Sequence, residues 1–323
     1  MRNVLITGGA GFIGHALAKR LVDGGARVTL VDNFSRGRRD ADLERLLENP
    51  AVTAVTADLL EPGALDGLGD EFDAVVHLAA LLGVANVIAR PYETLAKNAI
   101  LTHEALKFAI RQRDLKSFVF ASTSEVYAGT LFAGQLQFPT PETSLLALPD
   151  LSAPRTTYML SKIYGEAMVL QAQVPAVIIR PHNVYGPRMG VEHVVPELMK
   201  RMHQAEPGAE LEIFSPTHMR TFCFIDDAVA LIEGLMREPS SAGRAWNVGT
   251  QAPEWTIMQV AETVRGVVGA DVRLTGAPDT AGSPSRRCPD MSATNAQTGI
   301  TKRVSLEDGA ARTWAWYRQN VFG

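Results

Sequence analysis

The stretch Val4-Leu5-Ile6-Thr7-Gly8-Gly9-Ala10-Gly11-Phe12-Ile13-Gly14 decides how the rest of the chain is read. A short, unbroken apolar run ends in a glycine-rich turn, and a helical pattern begins directly after it. Gly9, Gly11 and Gly14 stand in GxGxxG spacing. Glycines at such a turn let the backbone bend tightly and come close to a pyrophosphate, which the free N–H groups and the positive end of the helix then stabilise. The spacing alone is a weak signal; the strand before it and the helix after it make it a dinucleotide site. Gly8, Gly11, Phe12, Ile13 and Gly14 are therefore expected to touch a cofactor.

Outward from this turn the pattern repeats. Val28-Thr29-Leu30-Val31, Val52-Thr53-Ala54-Val55, Ala74-Val75-Val76, Phe118-Val119-Phe120 and Ala176-Val177-Ile178-Ile179 are apolar runs separated by helical stretches. Continuous rather than alternating runs point to strands buried on both faces, hence to a parallel sheet with helices on both sides. The expected fold class is α/β: a Rossmann-type doubly wound sheet over residues 1–180. Ligands in such sheets bind beyond the carboxyl ends of the strands. Asp32 ends the second run, where a carboxylate can accept from the adenosine ribose hydroxyls and repel a 2′-phosphate. NAD is expected over NADP, although Arg36, Arg38 and Arg39 follow closely. Asp58 follows the third run and is read as a partner for the adenine amino group. Leu78, Ala79 and Ala80 close the fourth run beneath the cofactor, and Asn33, Leu59 and Asn98 join the expected cofactor contacts.

After residue 180 the texture changes. Pro181, Gly186, Pro187, Pro196, Pro207, Gly208 and Pro216 punctuate shorter elements, and helical patterns follow near 226–237, 255–268 and 305–318. Residues 181–323 are read as a smaller α/β lobe over the open edge of the sheet, with segment 130–156 a long ordered loop near the site. Composition agrees with a folded protein: 323 residues, 46% hydrophobic and 20% charged, which excludes a disordered or collagen-like chain. Thirty-one Lys+Arg against 35 Asp+Glu give a net charge of −4, so no general positive excess would attract nucleic acid or anionic lipid. Cys223 and Cys288 lack CxxC spacing and the seven histidines lack ligand spacing, so no disulfide framework and no metal are expected. No apolar run reaches the length of a membrane span, and the N-terminal run is too short for a signal peptide; a cytoplasmic setting is expected.

Tyr158 and Lys162 lie four apart in a helical stretch, so both project from one face. A nearby ammonium and a cationic nicotinamide both favour a phenolate, and Tyr158 is expected to have its pKa lowered and to take the proton of a sugar hydroxyl as hydride leaves carbon. Ser122-Thr123-Ser124-Glu125-Val126-Tyr127 follows the fifth run, where Thr123 or Ser124 can donate to the oxygen being oxidised and Glu125 offers a carboxyl group.

The glycine turn, Asp32, Thr123, the Tyr158/Lys162 pair and Arg180-Pro181-His182-Asn183-Val184-Tyr185-Gly186-Pro187 resemble the extended short-chain dehydrogenase/reductase family, the NAD-dependent nucleotide-sugar epimerases, dehydratases and decarboxylases. The resemblance runs over nearly the whole chain. It implies NAD held by the Rossmann domain, a lobe for a nucleotide diphosphate sugar with a UDP-sugar favoured, a homodimer through a four-helix bundle, and oxidation of the sugar at C4. Thr123-Ser124-Glu125-Val126-Tyr127, Gly186-Pro187-Arg188-Met189 and Arg286-Arg287-Cys288-Pro289-Asp290 are similar to the UDP-glucuronate decarboxylases. Ser124 stands where the 4,6-dehydratases of thymidine sugars usually carry an Asp. The resemblance also places Asn183, Arg188, Arg220 and Arg287 on the substrate. Decarboxylation to UDP-xylose or UDP-4-keto-xylose is the first reading, 4-epimerisation the second, dehydration the third. Val126-Tyr127-Ala128-Gly129-Thr130 departs from the Val-Tyr-Gly-Asp-Pro of typical decarboxylases. A silent NAD-binding regulator is the reading from another class, and intact Thr123, Tyr158 and Lys162 speak against it.

Overall fold

Each apolar run becomes a strand because both faces of the sheet are covered. The computed structural model describes residues 1–280 and 282–322. Its main sheet contains β1 (Asn3–Thr7), β2 (Arg27–Asp32), β3 (Val52–Thr56), β4 (Ala74–His77), β5 (Ser117–Ala121) and β6 (Ala176–Pro181), and a seventh strand, Arg244–Val248. The order is Arg244–Val248, β6, β5, β4, β1, β2, β3, all parallel. Successive residues of one run enter opposite cores. Val4 and Ile6 pack with Leu17 and Leu21 on one face, while Leu5 packs with Leu101 and Leu106 on the other. Val119 and Phe120 divide in the same way, as do Val177 and Ile178. This two-sided burial is why the runs show no alternation.

The strand order reverses between β1 and β4, and the crevice at their carboxyl ends is framed by Gly8 and Ala79. Gly8 has φ +70°, and a side chain there would meet the Ala79 amide nitrogen at 2.8 Å. Helix Phe12–Asp23 then starts at Gly11, which supplies no side-chain cap.

The lobe is built from parallel strands Ala209–Phe214 and Val272–Ala277, with helices Val194–Gln204, Ile257–Val268 and Leu306–Asn320 beside them. Val195, Leu198, Trp314 and Tyr317 join the same apolar core as Val4, so the lobe is fused to one face of the sheet. Trp314 is buried and packs at a tilt against His203 and Phe322. The chain crosses back at residue 225: helix Ile225–Arg237 belongs to the sheet's core, and Arg244–Val248 pairs with β6. Residues 181–323 thus contain both the lobe and the last strand of the Rossmann sheet. Segment 130–156 begins inside a one-turn helix, Ala128–Phe132, and only then becomes a loop, which runs to Arg155. Among the described residues no helix is long and apolar enough to cross a membrane, and no group of His, Cys, Asp or Glu is arranged to hold a metal ion.

Candidate active site

The glycine turn, the carboxylate that ends β2 and the one after β3 come together at the carboxyl ends of their strands. Phe12, Ile13 and Gly14 form the first turn of a helix without a side-chain cap or an acidic residue, so its amides are free for an anion. A side chain at Gly14 would run into the Gly8 carbonyl, which explains that glycine as packing between turn and helix. Asp32 accepts hydrogen bonds from the Ala10 amide at 3.0 Å and the Phe34 amide at 2.9 Å. A carboxylate has about four acceptor positions, so it can still take a ribose hydroxyl. Asp58 accepts from the side chain of Asn33 at 3.0 Å and from the Leu60 amide at 2.9 Å, which fixes both residues at the β2–β3 edge with Leu59 buried behind them. A glycine turn with no room for Cβ atoms, uncapped amides and a carboxylate at the end of β2 fit an adenine dinucleotide.

Two expected contacts are placed differently. Asn98 spends its amide on the protein, accepting from the Leu81 amide at 2.7 Å and donating to the Leu81 carbonyl at 3.0 Å and Ser161 Oγ at 3.2 Å. It braces the loop after β4 against helix Thr156–Gln171 rather than facing outward. Arg188, expected on the substrate, lies beside the glycine turn: its Nε pairs with Asp40 at 2.8 Å and its Nη2 approaches the Ala10 carbonyl at 3.4 Å. The Asp40 carboxylate, reached from the β2 side, holds it there.

Tyr158 and Lys162 lie on helix Thr156–Gln171. Gly165, one turn further, lets this helix press on β5, because a side chain there would collide with the Phe120 ring. That approach lets Lys162 Nζ donate to the Ala121 carbonyl at 2.7 Å. Burial, opposed by Glu166, pulls the lysine down to a pKa of about 8. Tyr158 departs from expectation. Its phenol is raised above the ordinary value, first by burial and then by the charge of Glu125, with the Thr123 hydroxyl opposing. Lys162 faces the Tyr158 ring at 5.9 Å, and desolvation of the hydroxyl outweighs any help from the ammonium.

Behind the pair lies a buried polar network. Glu166 grips Arg180 through Nε at 2.9 Å and Nη2 at 2.6 Å and accepts from Ser122 Oγ. Arg180 donates to Tyr127 Oη at 2.8 Å, and Tyr127 donates to Asn247 Oδ1 at 3.0 Å. This network ties β5, β6, strand Arg244–Val248 and helix Thr156–Gln171 together.

In front of it is a cavity of about 820 Å³ whose wall includes Ser124, Glu125, Met159, His182 and Arg287. Glu125 meets Arg287 at 3.3 Å and Arg155 at 3.6 Å, one arginine from the lobe and one from the loop before the catalytic helix. Arg220 is buried outside that wall and donates to the Met219 carbonyl at 2.8 Å; burial and then the charge of Arg287 lower it to about 10. Asn183, at φ +42°, donates to the Thr221 carbonyl at 2.9 Å. Sequence reading missed Arg155 and the apolar wall formed by Ile88, Leu131, Phe132 and Leu148. Arg155 had a signal, three residues before Tyr158; the apolar wall had none, because Ile88, Leu131 and Phe132 lie on helices too short to show a period and Leu148 on a loop without one.

The sequence profile of the NAD dependent epimerase/dehydratase family matches residues 4–249. A UDP-glucuronic acid decarboxylase 4 of Arabidopsis thaliana is 31% identical over 99% of this chain and 69% of its own. A UDP-N-acetyl-alpha-D-glucosaminuronate decarboxylase of Bacillus cytotoxicus is 29% identical over 98% of each chain. The crystal structure of a UDP-glucuronic acid 4-epimerase from Bacillus cereus, in complex with UDP-glucuronic acid and NAD, superposes with a TM-score of 0.82 at 25% identity, covering 98% of this chain and 99% of that one. With its glycine cradle and its assembled Tyr158/Lys162 pair, the chain belongs to the NAD-dependent epimerase/dehydratase family of nucleotide-sugar enzymes, and its cofactor is NAD.

Proposed function

We propose that this chain decarboxylates UDP-glucuronate through a 4-keto intermediate, giving UDP-xylose or UDP-4-keto-xylose. The observation that carries the reading is Glu125, set beside Ser124 in the cavity wall, held by Arg155 and Arg287, and close enough for its charge to act on Tyr158. NAD, which Gly8, Gly11 and Gly14 would hold, would supply the hydride acceptor and a positive charge that favours the Tyr158 phenolate. Tyr158 Oη takes the proton of the C4 hydroxyl, with Lys162 facing its ring and the Thr123 hydroxyl opposing the rise of its pKa. A carbonyl at C4 makes the sugar a β-keto acid. The C5–C6 bond then breaks, its electron pair passes into the C4 carbonyl as an enolate, and C6 leaves as CO2. A proton from solvent returns to C5, relayed through the Glu125 carboxylate; for UDP-xylose the C4 carbonyl would then take the hydride back and Tyr158 would return its proton to the oxygen, and without that return the product is UDP-4-keto-xylose. Arg220, Arg287 and Asn183 serve the diphosphate and its sugar. In this division of work residues 1–180 hold the cofactor and residues 181–323 the nucleotide sugar, with strand Arg244–Val248 contributed to the sheet.

The chain is further read as a cytoplasmic homodimer. Helices Pro91–Ile110 and Thr156–Gln171 would form the bundle, and Tyr92, Ile100, Tyr164 and Leu170 are large apolar residues exposed on them.

The test is incubation of UDP-glucuronate with purified protein and NAD, followed by mass spectrometry and proton NMR. Loss of the mass of CO2 is expected. An unchanged mass with an inverted C4 coupling would replace this reading by 4-epimerisation. Tyr158→Phe is expected to abolish turnover with NAD still bound. Glu125→Gln should permit C4 oxidation, seen as NADH absorbance, while CO2 release stops.

A further inference from the structure

The wall of the cavity has two kinds of lining. Its charged groups are Glu125, Asp150, Arg155, Arg286 and Arg287. Each has a partner in the protein: Glu125 lies between Arg155 and Arg287, Arg286 donates to Glu254 from Nε at 2.7 Å, and Asp150 accepts from the Ser152 amide at 2.8 Å. Six large apolar side chains, Ile88, Leu131, Phe132, Leu136, Phe138 and Leu148, make up much of the remaining wall. They do not belong to a closed core. Phe132 is 62% exposed, Ile88 52% and Leu148 49%, so a ligand in the cavity can take this surface out of water. The surface is also built firmly. Thr130 donates to the Leu145 carbonyl and accepts from the Ala147 amide at 3.2 Å, and Gly129 lets helix Ala128–Phe132 press on residues 147–148, because a side chain there would collide with the Ala147 carbonyl. This helix stands where the sequence leaves the Val-Tyr-Gly-Asp-Pro of typical decarboxylases. The apolar wall shares one cavity of about 820 Å³ with Ser124 and Glu125, so it is continuous with the candidate active site. An occupant that satisfies both linings is polar in one part and apolar in another. Glucuronate carries oxygen or a carboxyl group on every ring carbon and has no apolar part to offer.

We propose that the sugar of the bound nucleotide sugar carries, at C2 or C3, an acylamino chain longer than acetyl, which lies against Ile88, Leu131, Phe132 and Leu148. This rests on the reading that the cavity receives a nucleotide sugar and narrows its substrate class. A substituent at C2 or C3 leaves the chemistry at C4 and C5 unchanged, so UDP-glucuronate itself remains a substrate, bound without the contribution of the chain. Ser124, Glu125, Arg155 and Arg287 meet the polar part, and the apolar wall selects for the chain.

Calorimetry on the NAD-loaded wild type tests this with two series of probes, UDP-2-acylamino and UDP-3-acylamino sugars bearing acetyl, butanoyl and hexanoyl groups, with UDP as reference. A methylene group taken fully out of water is worth about four-fold in Kd. On a wall that stays partly open, the four methylenes from acetyl to hexanoyl should tighten binding roughly 10- to 100-fold in one of the series, and the heat capacity of binding should become more negative with each step. Phe132→Ser and Leu148→Asn, both at half-exposed positions, should each remove at least about three-fold of that gain and change the Kd of UDP less than about two-fold. A Kd that is flat or rises with chain length in both series, or a gain that survives both substitutions, would overturn the proposal; failure to bind UDP would overturn it together with the nucleotide-sugar reading. If the chain tightens binding but UDP-glucuronate releases no CO2, the decarboxylase reading fails and the apolar subsite stands. If CO2 is released and both series are flat, the reverse holds.

Discussion

Lys162 provides the sharpest prediction, because its burial sets a pH dependence of stability that one substitution removes. The residue is 4% exposed, and its ammonium lies 5.0 Å over the Phe120 ring. Burial moves its pKa from 10.5 to about 8. Below pH 8 folded and unfolded chains both hold the proton, and the full cost of burying the charge is present. Between about 8 and 10.5 the unfolded chain holds a proton that the folded chain has released, so stability rises with pH. At 1.36 kcal/mol per pH unit, the interval is worth about 3 kcal/mol. Lys162→Met keeps the length of the side chain and removes the charge, leaving the Ala121 carbonyl without its donor at a cost of about 1 kcal/mol. The variant should therefore be about 2 kcal/mol more stable than wild type at pH 7 and about 1 kcal/mol less stable above pH 10.5. Urea unfolding followed by circular dichroism at pH 7, 8, 9 and 10 measures the difference, and groups common to both proteins cancel. Two stability curves that run parallel across this range would refute the burial argument.

Other consequences follow from particular contacts. Glu166→Gln leaves the Arg180 guanidinium buried without its carboxylate, and urea midpoints should record a loss of about 3–5 kcal/mol; a loss near zero would mean that the network relaxes around the change. Gly8→Ala places a methyl group against Ala79 at a positive φ, so calorimetry should show NAD affinity falling while UDP affinity holds. Arg188→Ala removes the partner of Asp40 beside the glycine turn. It should weaken NAD more than any UDP-sugar, and the opposite order of Kd changes would return Arg188 to the substrate.

The cradle was legible in the sequence because its signals are local. A GxGxxG turn, a β-branched run before it and Asp32 at the end of the next run lie within about thirty residues, and backbone sterics translate that spacing directly into geometry. The Tyr158/Lys162 spacing is equally local, since helical periodicity sets two residues four apart on one face. The charge state of the pair was not legible. Whether Tyr158 is raised or lowered depends on desolvation and on Glu125, which is distant in sequence and brought near by the fold. Arg188 shows the same limit: its neighbours in sequence resemble a substrate-binding segment, yet Asp40, nearly 150 positions away, takes its guanidinium.

The sequence by itself determined the parallel sheet, the dinucleotide turn, the placing of Tyr158 and Lys162 on one helix and the family, because strand burial, glycine freedom and helical spacing are properties of neighbouring residues. Tertiary structure alone decided which charges meet. It closed Glu125 between Arg155 and Arg287, returned strand Arg244–Val248 to the sheet, and joined Tyr127 and His182 through Asn247. Electrostatic and hydrogen-bond terms act through space and depend on burial, and neither separation in space nor burial is written in the order of residues.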